Sequence, residues 1–475
     1  MSVESSNLNV GIIVPYVMRE KDIGGVSRLA LETRKRLNKI NGINAWIYAP
    51  SSGNGNDEEE TLADETIGRA VFSLYHHNTK HCVPMARKKT AREKLLSKKF
   101  DLLLGEEPAN LLWHTVLASM PKRADGSLVP ATIDRFHARI ENWDWNAKLL
   151  FFLGKAIRRP EFNRFWVPKG LTAGVLNTNL DVDGRIAVSN ATAEFAKKHY
   201  GGDYRRIYNG VDTEEIDPEG PKINEWLENR EVIIYYAGRH EKRKGVDYLL
   251  KAIPAVNEYA KERNLKVRFK IGGEGPETEK LKKLAQDLKL DNVDFVGVLS
   301  REEYLKALRT AHIGVFPATG GEGFGLTVAE AAAAGEVVVA SHTGGYDEVV
   351  GGTPYSITPM PKSPEEIAQA INTFLSMEPW KIKELSQMAI LDIRSRFGWE
   401  VIEKQLVEYF DEIVTAHGKP RDEDWEINNN GNGLWLPRTV VHEVVHPIKG
   451  GVRLFDKLRQ KVTLPTQGII YEAAA

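Results

Sequence analysis

The densest set of residues able to do chemistry lies between Tyr236 and Gly345. Gly238-Arg239 ends an apolar run, and Lys244-Gly245 follows just before a stretch with helical spacing. A nucleoside diphosphate carries several negative charges, which an Arg fork, a Lys point charge and the positive end of a helix would stabilise together. Taken alone, Arg239 and the run Lys242-Arg243-Lys244 read first as a solvated loop. Gly272-Gly273-Glu274-Gly275-Pro276 stands behind a second apolar run, where glycine lets backbone pass close to a ligand. A single turn of this kind also serves any strand-to-helix corner. Glu322 and Glu330 bracket Gly323-Phe324-Gly325-Leu326, whose backbone N–H groups at a helix start would face an anion. Glu322 would stand in the loop beside a reacting group. Glu330, further into the helix, could accept hydrogen bonds from ribose hydroxyls, or serve only as an acid near a positive dipole end. Gly344-Gly345 closes the set and could also approach a sugar or phosphates.

These residues need a scaffold, and the apolar pattern predicts one. Val10–Val14 is a continuous apolar run, followed by Gly24-Gly25 and a helical stretch over Val26–Leu37. Ala45–Ala49, Leu102–Leu104, Thr132–Ile133 and Ile186–Val188 are further candidate strands, and Ser51–Asp57 reads as a surface loop. After Pro218–Pro221 the alternation restarts. Strands are predicted at Val232–Ala237, Val267–Ile271, Val293–Val296, Ile313–Phe316 and Val337–Ala340. Helices are predicted from Val246 to about Lys261 and at Glu277–Leu288, Arg301–Thr310 and Leu326–Ala334. Strands alternating with helices of this length imply parallel sheets with right-handed crossovers, and the restart implies two of them. In such sheets ligands lie outside the carboxyl ends of the strands, where every glycine cluster above falls. From Pro364 to about His417 the chain reads as mostly helical, interrupted at Phe397-Gly398-Trp399. The tail from Lys419, with its Asn/Gly stretch Asn428–Gly433, has no clear periodicity.

Composition bounds the remaining classes. The chain has 475 residues, more than one core usually serves. Hydrophobic residues make up 42% and charged residues 27%, an ordinary balance for a soluble protein. Lys and Arg number 64 against 65 Asp and Glu, so no global field points to a nucleic-acid partner. Cys82 is the sole cysteine, which rules out an intrachain disulfide and fits a reducing cytoplasm. Met1–Val14 carries no pattern of a secretory signal, and no apolar run is long enough to span a bilayer.

The order and separation of these motifs resemble the retaining glycosyltransferases of family 4, whose fold is called GT-B. The matching text is AGRHEKRKG (Ala237–Gly245), GGEGP (Gly272–Pro276), EGFGLTVAE (Glu322–Glu330) and HTGG (His342–Gly345). In the first half, GGVSR (Gly24–Arg28), FHAR (Phe136–Arg139), DGRIAVSNAT (Asp183–Thr192) and YNGVDTEEIDP (Tyr208–Pro218) agree with it. The resemblance covers roughly Leu8 to Val414, and the FHAR and VSNAT regions look nearest to phosphatidylinositol mannosyltransferases. It implies an α/β protein of two Rossmann-like domains whose parallel sheets face a central cleft. Residues 1–217 would form the acceptor side and residues 218–397 the nucleotide-sugar-binding domain. A helix at about 398–416 would pack back on the first domain, leaving 417–475 as an extension of unknown structure.

The implied reaction moves a hexose from a UDP- or GDP-linked sugar to an acceptor hydroxyl, with retention and without a metal or other cofactor. Arg239 and Lys244 would stabilise the leaving diphosphate, Glu322 would position the sugar, and His137 would lie across the cleft against it. Gly24, Gly25, Gly273, Gly323, Phe324, Gly325 and Leu326 would contact the donor, with Glu330 on its ribose. The acceptor would be a glycan or glycolipid. Two other readings of the fold are a nucleotide-sugar hydrolase or epimerase, and a non-catalytic sugar-nucleotide-binding protein.

Three signals stand outside this scheme. Asp181-Val-Asp183 spells an Asp-X-Asp metal site, but its place before a strand favours a turn. His442-Glu443-Val-Val-His446 spells a zinc-protease motif that needs a helix, whereas the surrounding Val residues and Pro447 favour an extended strand. Lys80–Lys99 and Trp143–Lys169 are basic, the second with interleaved aromatic residues. They read either as a solvated helix face and a packed lid, or as a docking surface for anionic lipid. The protein is expected in the cytoplasm, and on the second reading it would be peripheral on the membrane's cytoplasmic face.

Overall fold

The computed structural model describes residues 7–14, 25–51, 63–69, 97–106, 120, 123, 128–137, 182–200, 202–216 and 230–420. Gly24, Asp181, the zinc-protease spelling, the loop after Ser51, Trp143–Lys169 and most of Lys80–Lys99 lie outside them.

Strands β1 (Leu8–Ile13), β2 (Ile43–Ser51), β3 (Glu65–Arg69), β4 (Leu102–Glu106), β5 (Ala131–Phe136), β6 (Gly184–Ala187) and β7 (Arg205–Arg206) form one sheet. Its order is β3-β2-β1-β4-β5-β6-β7. The second sheet comprises β8 (Glu231–Ala237), β9 (Lys266–Gly272), β10 (Val293–Gly297), β11 (Ile313–Phe316), β12 (Val337–Ala340) and β13 (Ser356–Ile357). Its order is β10-β9-β8-β11-β12-β13. Every paired strand in both runs parallel. The central strands β4, β5, β11 and β12 are buried along their length, which explains their near-continuous apolar runs.

Three strands have no counterpart among the sequence candidates. β3, β7 and β13 lie at or next to sheet edges, and the short β7 consists of two exposed arginines. None of the three carries an apolar run to read. β5 is also longer than Thr132–Ile133, because Asp134 and Arg135 are buried within it.

Helix Arg301–Thr310 starts with a capping box of Ser300 and Glu303, and Pro364–Leu375 starts with Ser363 followed by Pro364. Helix Pro379–Phe397 stops at Gly398, and helix Trp399–His417 begins there. The latter leaves the second sheet and packs on the first. Trp399, Ile402, Leu406 and Phe410 join Val10, Ile12 and Ile133 in one core. Tyr409 accepts a hydrogen bond from the Arg185 N–H at 3.1 Å. His417 Nδ1 meets Asp183 Oδ1 at 2.8 Å, and the same carboxylate accepts from the Thr132 N–H at 2.8 Å. Asp183 is thus committed to structure. The chain passes between the halves at Val211 and Gly398, which pair with each other. There Gly210 lies so close to Trp399 that a Cβ would fall 2.3 Å from its ring.

The halves also touch beside the glycine loops. Glu348 accepts from the Asn190 and Ala191 N–H groups, both at 2.7 Å, at the start of helix Asn190–Tyr200. Tyr208 donates to the same carboxylate at 3.2 Å, and Thr192 Oγ1 donates to the Gly323 carbonyl at 3.2 Å.

One buried group runs against the core's chemistry. Glu336, just before β12, is fully buried, and neither carboxyl oxygen finds a hydrogen-bond partner among the described residues. It has room only because β11 carries Gly314, whose Cβ would fall 2.6 Å from Oε2. Burial pushes its carboxyl well above the usual carboxylate range, so the folded state keeps it protonated. Its contribution to stability is therefore full below the ordinary glutamate value and is lost as pH rises through the raised folded value. Glu336→Met is expected to raise stability at neutral pH by about 1–3 kcal/mol and to flatten this dependence. Denaturant titrations at pH 5 and pH 8 check it, and identical pH slopes for variant and wild type would refute it.

Candidate active site

Both ends of the site are loops at the carboxyl edge of the second sheet. The loop after β8 turns through a single 3-10 turn, Lys242–Lys244, and helix Val246–Glu262 follows at once. Gly245 joins them at φ +68°, and its Cα sits so near the next loop that a Cβ would fall 2.0 Å from the Pro317 carbonyl oxygen. Thr319 adds two bonds to the Arg243 carbonyl, from its N–H at 2.8 Å and from Oγ1 at 3.2 Å. The loop after β11 is thereby clamped against the loop after β8, and this clamp sets the charges opposite one another.

Those charges alternate in a line. Arg239 Nη1 lies 3.1 Å from Glu241 Oε1, and Glu241 Oε2 lies 3.1 Å from Arg243 Nε. Arg243 Nη1 reaches Glu322 Oε1 at 2.6 Å, and Lys244 Nζ reaches the same oxygen at 3.0 Å. Glu322 is almost fully buried, Lys244 is 17% exposed and Arg239 is 41% exposed. Burial works to raise the Glu322 carboxyl, but Lys244 and Arg243 outweigh it and hold the group below the usual range. Glu322 is therefore an anion whose two cations cannot scatter, and Arg239 is the one of the three that most faces solvent. Glu241 and Arg243 were not among the residues picked from sequence. Arg243 is half of the Glu322 pairing, and only the fold reveals this, because the two are 79 residues apart.

The other nominated residues sort as follows. Gly273 has φ +105° and passes so near Gly238 that a Cβ would fall 2.0 Å from its carbonyl oxygen, so it fits two loops together. Gly325, at φ +95°, stands at the N-terminus of helix Leu326–Ala333, where Leu326 is the first residue. Gly323 gives its carbonyl to Thr192. The Phe324 side chain is buried against Phe397 and Tyr208, with ring centroids 5.3 and 5.9 Å away. Only its backbone is left for a ligand. Glu330 is buried and accepts from Tyr304 Oη at 2.7 Å and from Arg301 Nη1 at 3.2 Å. Gly25 opens helix Gly25–Leu37, with no atom of the described residues within 4 Å of where a Cβ would stand.

His137 follows β5 in the first half, and its Nε2 lies 2.5 Å from Glu106 Oε2. Arg135 Nη1 holds the other Glu106 oxygen at 3.3 Å. Burial works to raise the Glu106 carboxyl, yet Arg135 and His137 hold it below the usual range. This buried carboxylate fixes the ring's orientation, and sequence reading had no signal for it because Glu106 ends an apolar strand. Among the described residues no group of three or more His, Cys, Asp or Glu could hold a metal ion, and no helix is long and apolar enough to cross a membrane.

Residues 219–390 match the family described as glycosyl transferases group 1, and residues 23–215 match glycosyltransferase family 4. A phosphatidyl-myo-inositol mannosyltransferase of Mycobacterium leprae is 28% identical over 237 residues, covering 50% of this chain and 61% of that protein. An uncharacterised glycosyltransferase of Methanocaldococcus jannaschii is 30% identical over 222 residues, 45% of this chain and 55% of that one. The matched stretch thus spans little more than half the length of these relatives. Among solved structures, a sucrose-phosphate synthase from Thermosynechococcus elongatus superposes with a TM-score of 0.61 at 18% identity, covering 86% of this chain and all of that one. HepE of Anabaena, in complex with UDP and glucose, does so with a TM-score of 0.61 at 16% identity, covering 85% of this chain. With two parallel sheets, matches in both halves and these neighbours, the chain belongs to the family 4 glycosyltransferases and has the GT-B fold.

Proposed function

We propose that this protein transfers a hexose from a UDP- or GDP-linked sugar to a hydroxyl of a glycan or glycolipid, retaining the anomeric configuration and using no metal. The observation that carries the reading is the buried Glu322 anion held between Arg243 and Lys244 beside the Leu326 helix start. Three cations on one loop are kept close by two carboxylates rather than by a ligand. When a diphosphate enters, they need not be assembled, so little reorganisation opposes their action. As the bond between the anomeric carbon and phosphate oxygen breaks, its electron pair passes to the diphosphate, which Arg239 and Lys244 stabilise. The acceptor oxygen bonds to the same face of that carbon, and its proton leaves with the departing phosphate. Glu322 positions the sugar, Glu330 takes the ribose, and His137, oriented by Glu106, faces the sugar from the first domain.

The relatives support the substrate classes. HepE was crystallised with UDP and glucose, and the mycobacterial relative is named for phosphatidyl-myo-inositol and mannose. A lipid-linked acceptor would be met at the cytoplasmic face of a membrane, by peripheral contact. Thermal unfolding with UDP, GDP, ADP and their common sugar conjugates tests the donor site. A ligand at about a hundred times its dissociation constant adds roughly 2.7 kcal/mol, enough to register. One nucleotide is expected to stabilise the fold, and its sugar conjugate to be consumed only when an acceptor is present. Full-rate donor consumption without acceptor would indicate a hydrolase or epimerase, and binding without turnover a sensor. No shift with any nucleotide would remove the donor site.

A further inference from the structure

Glu330 is surrounded by donors that could neutralise it. A guanidinium and a carboxylate prefer to meet through two parallel N–H···O bonds, and Arg301 is close enough to Glu330 to do this. It does not. Arg301 spends Nε, at 3.1 Å, and Nη2 on Glu215 Oε2, leaving only Nη1 to reach Glu330 Oε1 at 3.2 Å. Tyr304 holds the second oxygen, Oε2, through its hydroxyl at 2.7 Å, and Arg301 lies over the Tyr304 ring with its guanidinium carbon 5.5 Å from the centroid. Glu215 itself is fixed from behind, where Arg309 donates to the carbonyls of Glu215 and Ile216, both at 2.7 Å. Among the described residues each Glu330 oxygen thus keeps one protein donor and has acceptor capacity left over.

We propose that Tyr304, Arg301 and Glu215 are positioning residues that keep Glu330 from closing into a bidentate pair, and so set the protein's preference for a ribose over a deoxygenated sugar. The proposal rests on the donor-site reading above, in which Glu330 meets the ribose. Tyr304 pins one oxygen in place. Glu215 occupies the guanidinium fork that would otherwise capture both. None of the three needs to touch the nucleotide. Glu215 belongs to the segment Thr213–Ile216 of the crossover between the halves, so the ribose contact is tuned from outside the nucleotide-binding domain.

The test is calorimetric binding of UDP and GDP, each against its 2′,3′-dideoxy form, to the full chain and to Tyr304→Phe and Glu215→Gln. Wild type is expected to favour the ribo form of its nucleotide by about 10- to 100-fold, as hydroxyl bonds to a charged group should. Both variants should bring that preference to within about threefold while binding the dideoxy form as wild type does, which also shows an intact fold. Tyr304→Phe keeps the ring under Arg301 and serves if Glu215→Gln fails to fold. A general structural role would weaken both forms in proportion, and an unchanged preference in the variants overturns the proposal. Wild-type binding with no ribo preference removes Glu330's role and the proposal with it. No binding of either nucleotide by wild type removes the donor site itself.

Discussion

Lys244→Ala is expected to lower kcat by about 10²–10³-fold, the size seen when one preorganised stabiliser of developing charge is removed. The ammonium is largely buried on Glu322, so the substitution does two things. It removes a cation from the diphosphate, and it leaves Glu322 with Arg243 as its only close cation among the described residues. Arg239→Ala separates these effects. Arg239 is 41% exposed and, among the described residues, pairs only with Glu241, an arrangement that adds at most about 1 kcal/mol to stability. Its loss should leave the unfolding midpoint almost unchanged and still cost turnover about tenfold or more. The two cations act on one leaving group, so the double variant should fall short of the product of the single effects. Single-turnover rates with saturating donor, measured beside nucleotide affinity, distinguish loss of chemistry from loss of binding. Wild-type rates in both single variants would sink the scheme.

Gly245→Ala should be among the most damaging single methyls in the second domain. At φ +68° an alanine is strained by about 1 kcal/mol or more, and its Cβ would sit 2.0 Å from a backbone oxygen that no rotamer change can move. Relief requires the loop carrying Pro317 to shift from the loop carrying Lys244, and that shift breaks the Thr319 bonds to Arg243. A stability loss of about 3–5 kcal/mol is expected, with nucleotide binding lost in whatever remains folded. Gly352→Ala is the matching control: its φ is +73°, but among the described residues no atom lies within 4 Å of the added carbon. Similar losses for both would mean that backbone strain alone governs the position and that the clamp contributes little.

The parallel architecture was legible because its central strands are buried on both faces. Ile313–Phe316 and Val337–Ala340 were bounded to the residue, and so was helix Arg301–Thr310 with its capping box. Those elements advertise themselves through local residues. β3, β7 and β13 do not, since an edge strand needs a partner more than it needs an apolar sequence. The site divides along the same line. Glu322, Lys244 and Glu330 were visible because they sit beside glycines with a fixed spacing. Their partners were not: Arg243 meets Glu322 across 79 residues, Tyr304 meets Glu330 across 26, and Glu106 meets His137 across 31. At Phe324 the motif and the fold use different parts of one residue: its ring packs between the halves, which leaves its backbone to face a ligand.

The last described helix has a consequence for how the chain comes to be folded. Residues 231–397 hold every strand of the second sheet and nearly all of its core, so that half can close as soon as it has left the ribosome. The first half cannot. Its sheet emerges earlier, yet the face that receives Trp399, Ile402, Leu406 and Phe410 stays uncovered until the second half has been made. The first domain to be synthesised is therefore the last to be finished. For that interval it presents an apolar surface to solvent, the kind of surface that chaperones hold and that aggregates seize.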